Sequence, residues 1–162
     1  MLAAAAQAPR RINNMEFFTE FGYVGIFLAS FLSATILPLS SEIVLVVLLL
    51  SDLNPVALVS IATFGNVLGA FTNYAIGYWG SVILVRKVSR ISEEEFARAE
   101  QRFRKYGIVS LFFAWVPIIG DPLTVVAGVL KINLFLFFAF VASGKLVRYV
   151  IISYIVLVGQ TG

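Results

Sequence analysis

Four charged side chains stand inside long apolar stretches of this sequence: Glu42, Asp121, Lys145 and Arg148. A charge in the hydrocarbon layer of a membrane costs about 2.5 to 3.5 kcal/mol on insertion scales, so such residues usually mark a function. Carboxylates in scarce water can bind and release protons, and an arginine beside a lysine can hold a phosphate group. We therefore predict a proton-coupling or substrate site at Glu42 and Asp121, and a phosphate-binding site at Lys145 and Arg148.

Each of these charges also has a purely structural explanation. Glu42 and Asp121 directly precede apolar runs, where a carboxylate can satisfy the first-turn N–H groups of a helix. Lys145 and Arg148 are three residues apart and share a helix face, from which they could form internal ion pairs with either carboxylate. The sequence leaves both explanations open.

The composition places these charges in a membrane protein. Of 162 residues, 60% are hydrophobic and 13% are charged, whereas soluble domains are about half apolar and a quarter charged. Because histidine and cysteine are absent, we expect no metal site, no disulfide and no cofactor. The net charge of +3 is too small to predict a nucleic-acid partner. Membrane lipids are the expected partners and protons the candidate coupling ion, and formation of a homo-oligomer stays open.

Length distinguishes segments that cross the membrane from segments that turn back. A bilayer core of roughly 30 Å needs about 20 helical residues, and the apolar stretches 53–85 and 134–158 are long enough. The stretch 106–130 is broken into two short arms, which predicts a re-entrant hairpin. The stretch 17–50 can be interpreted in the same way, although its first arm could just span alone. The predicted tips contain Pro38, Ser40, Ser41, Pro117, Gly120 and Pro122.

An internal repeat supports two such hairpins. A shift of 79 residues superposes Pro38 on Pro117, Glu42 on Asp121, Asn54 on Asn133, and Gly65 on Gly144. One crossing helix per half makes the repeats inverted. We predict an all-α polytopic membrane protein with two inverted repeats, each a re-entrant helical hairpin plus a long transmembrane helix. A disordered tail, 1–16, precedes a single membrane domain, 17–162, whose repeats cover about 20–85 and 106–158.

Small residues recur every four positions along the second stretch, at Gly65, Gly69, Asn73 and Gly77. This spacing favours close helix packing. Asn66, Asn73 and Tyr74 could instead line a polar cavity. Ser40 and Ser41 are expected to satisfy broken backbone at the first tip; a Ser-Lys hydrolase that pairs them with Lys145 would need an oxyanion hole that no motif suggests. We therefore expect no enzymatic activity.

A surface helix is predicted between the repeats, over 92–105. Ser92 and Glu95 form a capping box, and Gly107 stops the helix. Phe96, Ala99, Phe103 and Tyr106 line one apolar face. Seven of the twelve basic residues lie between 86 and 105, which places this segment in the cytoplasm. We expect it to lie on the membrane surface as a structural link.

The chain resembles the DedA family, also called the VTT domain or SNARE-associated Golgi protein family, in its YqaA-like branch. The resemblance covers residues 20–155. It rests on the segments Leu32-Ser33-Ala34-Thr35-Ile36-Leu37-Pro38 with Ser41-Glu42, Gly65-Asn66-x-Leu68-Gly69-x-x-Thr72-Asn73-x-x-Ile76-Gly77, Trp115-Val116-Pro117-x-x-Gly120-Asp121 with Ala127-Gly128, and Gly144-Lys145-x-x-Arg148-Tyr149.

The resemblance implies a multi-pass protein of the bacterial inner membrane with two facing re-entrant hairpins. It also implies a flippase or scramblase for undecaprenyl phosphate or phospholipid head groups, coupled to protons. Better-known members carry arginines where this chain has Ala114 and Gly120, and Lys145 and Arg148 are the candidates to replace them. Two alternatives are a proton-coupled exporter of a small solute or ion, and a membrane assembly factor without transport. The side of the N-terminus stays open.

Overall fold

The computed structural model describes residues 8–35, 41–51, 53–80, 91–116 and 119–161, and side-chain surroundings from residue 21 onwards. Within these ranges the chain is all-helical, as predicted, and contains no strand. The elements are α1 (Ala8–Ser33), α2 (Ser41–Leu49), α3 (Pro55–Trp79), α4 (Glu93–Tyr106), a 3-10 helix (Gly107–Trp115), α5 (Gly120–Val129) and α6 (Leu134–Thr161).

The two long helices, α3 and α6, are the ones that the sequence predicts to cross the membrane. Their segments Pro55–Trp79 and Leu134–Gln160 are long and apolar enough to do so. Asn54 precedes α3 and accepts a hydrogen bond from the backbone N–H three residues on, at 3.1 Å. Asn133 precedes α6 and accepts from the second and third N–H groups beyond it, at 3.0 and 3.3 Å. The two asparagines that the 79-residue shift superposes therefore both satisfy the first turn of a long helix.

The first helix corrects the prediction for the N-terminal tail. α1 begins at Ala8, so residues 8–16 are helical in the structure rather than disordered. Alanine, arginine and methionine favour helix, and Pro9 stands in the first turn, where its missing N–H costs no hydrogen bond. Residues 1–7 lie outside the described residues.

In each half a first helix is followed along the chain by a second, shorter or similarly short helix. α1 ends at Ser33 and α2 starts at Ser41; Pro38 and Ser40 lie outside the described residues. In the second half the first arm is a 3-10 helix of nine residues, and Pro117 also lies outside the described part. Because a 3-10 helix rises about 2.0 Å per residue, this arm reaches roughly 18 Å, further than nine α-helical residues would.

The two halves interlock through their packing. α3 and α6 contact each other, α1 packs on α3, and the 3-10 helix packs on α6. The short helices α2 and α5 contact the opposite half as well, α5 packing on α3 and α2 on α6. Two clusters of buried apolar side chains result, one around α3, α5 and α6 and the other around α1, α2, α3 and α6. Neither half is therefore packed without the other.

The small-residue stripe on α3 serves close packing, as predicted. A Cβ atom at Gly65 or at Gly69 would lie 2.6 Å from a carbonyl oxygen of α1, that of Phe27 or of Phe31 respectively. A Cβ atom at Gly77 would collide with the Val125 carbonyl oxygen of α5. The stripe thus brings both neighbouring backbones against α3.

The helix between the halves, α4, forms as predicted. Ser92 Oγ accepts from the Glu95 N–H at 3.2 Å, and Glu95 Oε2 accepts from the Ser92 N–H at 2.8 Å. Gly107 ends the helix with φ 61°, a left-handed value that favours glycine. These contacts confirm the capping box and the stop.

The apolar face of α4 packs on the protein itself. Phe96, Ala99 and Phe103 are buried, and α4 contacts α5 and the 3-10 helix. Tyr106, expected on the same face, is exposed. We expected α4 to lie on the membrane surface. Its apolar face instead covers the 3-10 helix and α5, and this contact links α4 to the second half of the chain.

We predict that Ser92→Ala destabilises α4 by about 0.5–2 kcal/mol, the usual cost of a lost N-cap. The hydrogen bond from the Ser92 backbone lowers the Glu95 pKa, with a smaller contribution from the Ser92 side chain. A lowered folded pKa means that this stabilisation is complete above about pH 4.5 and disappears as the pH falls through the folded value.

Hydrogen exchange of the α4 amides in detergent, measured at neutral and at acidic pH, tests this. Faster exchange at neutral pH and a weaker loss of protection on acidification are expected for the variant. Ser143→Ala removes a hydroxyl bonded only within its own helix and is the control. Unchanged exchange in α4 would contradict the prediction.

Candidate functional site

A network of polar side chains lies where α1, α2, α3 and α6 meet. All of its members are buried except Ser33, which is half-buried: Ser30, Ser33, Ser41, Asn66, Lys145 and Tyr149. Polar groups removed from water are costly unless they are hydrogen-bonded, so the partners of each one determine how these helices fit together.

The hydroxyl group of Tyr149 is the centre of this network. It lies 2.8 Å from Ser41 Oγ, accepts from Asn66 Nδ2 at 2.9 Å, and lies 3.4 Å from Ser30 Oγ. The Tyr149 side chain is 1% exposed. One phenol of α6 therefore contacts α1, α2 and α3 at once.

Lys145 enters the same network through Asn66. Its side chain is buried, and Nζ donates a hydrogen bond to Asn66 Oδ1. Asn66 uses its amide nitrogen for the Tyr149 hydroxyl and for Ser33 Oγ, the latter at 3.1 Å. Asn66 and Lys145 are 79 residues apart, the same shift as in the predicted repeat.

Arg148 joins the two predicted hairpins. One guanidinium nitrogen forms an ion pair with Glu42 at the start of α2, and another donates to the Trp115 carbonyl oxygen at 2.7 Å. Trp115 ends the 3-10 helix, where carbonyl groups lack partners within the helix. The internal ion pair considered as a structural explanation is present between Glu42 and Arg148.

Asp121 lies in the first turn of α5 and interacts electrostatically with Lys145 and Arg148. The α5 N-cap is Ile119, which makes no side-chain capping bond. Pro122 and Gly120 are buried in the same turn. The structure thus brings all four predicted charges together around the middle of α6.

The surroundings of Gly120 explain why this chain has no arginine there, unlike the better-known members of the family that it resembles. A Cβ atom at Gly120 would collide with the Ala114 carbonyl oxygen, and Ala114 is buried. The two positions where better-known members carry arginine therefore contact each other through backbone here, with no room for a side chain at Gly120. Arg148 reaches the neighbouring carbonyl, that of Trp115, from α6.

Three further polar residues that the sequence singled out make contacts in the structure. Ser41 Oγ bonds to the Tyr149 hydroxyl, and the remainder of the first tip, 36–40, lies outside the described residues. Asn73 donates to the Ala34 carbonyl at 2.8 Å, and Tyr74 donates to the Ile132 carbonyl at 2.7 Å. Asn73 and Tyr74 therefore satisfy backbone carbonyl groups next to helix ends. Of the three residues proposed for a polar cavity, Asn66 is the one that joins the network.

Sequence reasoning assigned no role to Tyr149, Ser30 or Ser33. Tyr149 follows Lys145 by four residues and so lies on the same face of α6, a spacing that could have revealed it. Ser30 and Ser33 are polar positions in the apolar second half of α1, three residues apart. The partner of Ser33 is Asn66 on α3 and that of Ser30 is Tyr149 on α6, and local patterns do not reveal such distant partners.

Comparisons with known proteins agree on one family. The VTT domain matches residues 37–158. Inner membrane protein YqaA of Escherichia coli (strain K12) is 41% identical over 129 residues, which cover 79% of this chain and 86% of that protein. A protein of Haemophilus influenzae named "Uncharacterized protein" is 34% identical over 140 residues, covering 80% and 84% respectively.

A more distant relative is the alkaline phosphatase-like protein of Lactococcus lactis subsp. cremoris. It is 28% identical over 151 residues, which cover 85% of this chain and 71% of that protein. No solved structure matches the chain. The VTT match includes every residue of the buried network except Ser30 and Ser33.

We predict that Tyr149→Phe lowers the free energy of unfolding by about 1–3 kcal/mol, the cost of leaving buried polar groups without a partner. Ser41 and Asn66 would both lose the hydroxyl that they contact. Thermal unfolding in detergent measures the effect. Tyr154→Phe on the same helix is the matched control, because Tyr154 is 69% exposed. Equal stability of the two variants would contradict the central role of Tyr149.

Proposed function

The chain belongs to the VTT domain family of inner-membrane proteins, and from that premise we propose that it moves a phosphate-bearing lipid head group across the bilayer. The observation that carries the proposal is the convergence of Glu42, Asp121, Lys145 and Arg148 within apolar helices. Undecaprenyl phosphate and phospholipids have head groups of this kind. Such an arrangement of two acids and two bases inside a membrane suits the movement of an anion with protons.

An inverted repeat is part of this proposal, and the packing supports it. In the repeat, α1, α2 and α3 correspond to the 3-10 helix, α5 and α6. The contact of α1 with α3 then corresponds to that of the 3-10 helix with α6, and the contact of α5 with α3 to that of α2 with α6. Each long helix also carries a glycine against its first arm: Gly65 faces the Phe27 carbonyl, and Gly144 faces the Phe112 carbonyl.

Asn66 and Lys145 would lie at the pseudo-two-fold axis. Two residues that a two-fold rotation exchanges can touch only where both are close to its axis, and these two are hydrogen-bonded. The axis would then pass between α3 and α6, beside the charged residues. Transporters with inverted repeats bind substrate at this place.

Re-entrant hairpins belong to the same proposal. The 3-10 helix and α5 have nine and ten residues, too few for either to cross a core of roughly 30 Å. Broken backbone inside a membrane needs partners from the protein. Arg148 supplies one to the Trp115 carbonyl, and Asn73 supplies one to the Ala34 carbonyl just after α1.

The Arg148 contacts suggest how protons and phosphate would be linked. The guanidinium group uses one edge for Trp115 and another for Glu42. A phosphate oxygen uses the same donors as a carboxylate oxygen, so the two compete for Arg148. Protonation of Glu42 would weaken its ion pair and make those donors available to the head group. Deprotonation would restore the pair and displace the head group.

We predict that Glu42→Gln and Asp121→Asn each abolish transport driven by a pH gradient while the protein remains inserted. Glutamine and asparagine cannot carry the proton, although their shapes are similar. Purified variants in liposomes with labelled undecaprenyl phosphate or phospholipid, assayed with and without the gradient, test this. Glu100→Gln on the α4 surface is the control. Full gradient dependence in both variants would leave the carboxylates with a structural role alone.

Arg148→Lys should weaken head-group binding by about tenfold, because lysine keeps the charge but loses the bidentate geometry. Lipid-dependent thermal shifts measure this loss. Arg104→Lys makes the same change on an exposed surface and is the control. Undiminished lipid binding in a folded Lys145→Gln plus Arg148→Gln variant would reduce both residues to counter-ions.

A further inference from the structure

A second charged place lies outside the buried network, between α4 and the start of α5. It is a cleft of about 170 Å³ lined by Glu95, Arg98, Arg102, Ile119 and Pro122. Ile119 and Pro122 stand on either side of Gly120 and Asp121. The cleft therefore opens beside the turn that carries one of the site carboxylates.

The position of α4 determines the surroundings of the first turn of α5 on the side of the cleft. Phe96, Ala99 and Phe103 hold α4 against the 3-10 helix and α5. Arg98 and Arg102, one helical turn apart, then border the cleft. Charged side chains are costly against lipid tails, so this side of the turn faces water or lipid head groups. The cleft thus lies beside the turn that carries Asp121, on a side that is not covered by lipid tails.

The charge balance in the cleft favours an anion. Arg98 is 59% exposed and lies 3.9 Å from Glu94, a pairing that is weak at such exposure. Glu95 is the acidic lining residue, and its carboxylate accepts the Ser92 N–H in the capping box. Two arginines therefore line the cleft together with one glutamate, whose carboxylate already accepts the Ser92 N–H.

The buried site, by contrast, is not open to an arriving anion. Lys145 is 5% exposed, and Arg148 is engaged by Glu42 and by the Trp115 carbonyl. A head group needs an outer binding place before it displaces Glu42. The cleft has the position and the charge for that step.

We propose that the cleft is a phosphate-binding site in which Arg98 and Arg102 hold a phosphate group beside the second turn. The inference rests on the proposed function and names the place where its substrate class first binds. Two guanidinium groups one turn apart can each donate to different oxygens of one phosphate. A carboxylate has only two oxygens, so it accepts fewer hydrogen bonds from the two guanidinium groups than a phosphate does.

Binding to the full-length protein in detergent tests the site without any requirement for transport. The probes are inorganic phosphate, a short-chain phosphatidic acid and a fatty acid of equal chain length. The test variant is Arg98→Gln plus Arg102→Gln. Its matched control is Arg104→Gln plus Lys105→Gln, which removes the same charge from exposed residues of the same helix.

The test variant should lose phosphatidic acid binding by at least about tenfold, whereas the control should stay within about twofold. Phosphate binding equal to that of phosphatidic acid would identify a site for the free ion, and selective binding of the lipid would identify a head-group site; both support the proposal. Equal loss in the two variants would overturn it in favour of general surface charge. Fatty acid binding as tight as phosphatidic acid binding would also overturn it.

The liposome assay separates this inference from the proposed function. If the unchanged protein transports lipid and the test variant needs no more lipid for half-maximal transport, the cleft proposal fails and the function stands. If the unchanged protein binds phosphatidic acid through the two arginines but transports no lipid, the function fails and the phosphate site stands.

Discussion

The rest of the structure depends on one requirement, that a lysine inside an apolar core must have partners for its ammonium group. Asn66 provides the hydrogen bond to Lys145, and the carboxylate of Asp121 provides opposite charge. Asn66 in turn donates to the Tyr149 hydroxyl and to Ser33. Because a buried polar group without a partner costs more than the hydrogen bond itself contributes, this set is stable only as a whole. The helices that supply it are fixed in position by the same requirement.

Glycine and arginine each meet a need of backbone buried in this structure: glycine allows two backbones to approach closely, and arginine supplies a hydrogen-bond donor to a carbonyl at a helix end. Where backbones must approach closely, as at Gly120 against Ala114, the chain has no side chain at all. Where a helix ends inside the molecule, a long side chain reaches its carbonyl, as Arg148 reaches Trp115. Backbone thus fills the space beside Gly120, while the Arg148 side chain contacts the adjacent Trp115 carbonyl from α6.

Features set by local patterns could be predicted from the sequence. The lengths of α3 and α6, the capping box of α4 and the glycine stripe each depend on residues a few positions apart. The 3-10 winding of Gly107–Trp115 could not, because an apolar arm has the same pattern in either helix type. Tyr149 was missed for a related reason: its partners Ser41 and Ser30 are 108 and 119 residues away. The helix at 8–16 shows the opposite error, since local helix propensity was underestimated there.

The order of the elements along the chain has a consequence for biosynthesis. Ser41 and Glu42, at the start of α2, have partners on α6 in Tyr149 and Arg148. The ribosome makes α6 after α2, and Tyr149 follows Ser41 by 108 residues. Until then α2 holds a hydroxyl and a carboxylate without these two partners from α6. The final placement of α2 therefore follows the synthesis of α6.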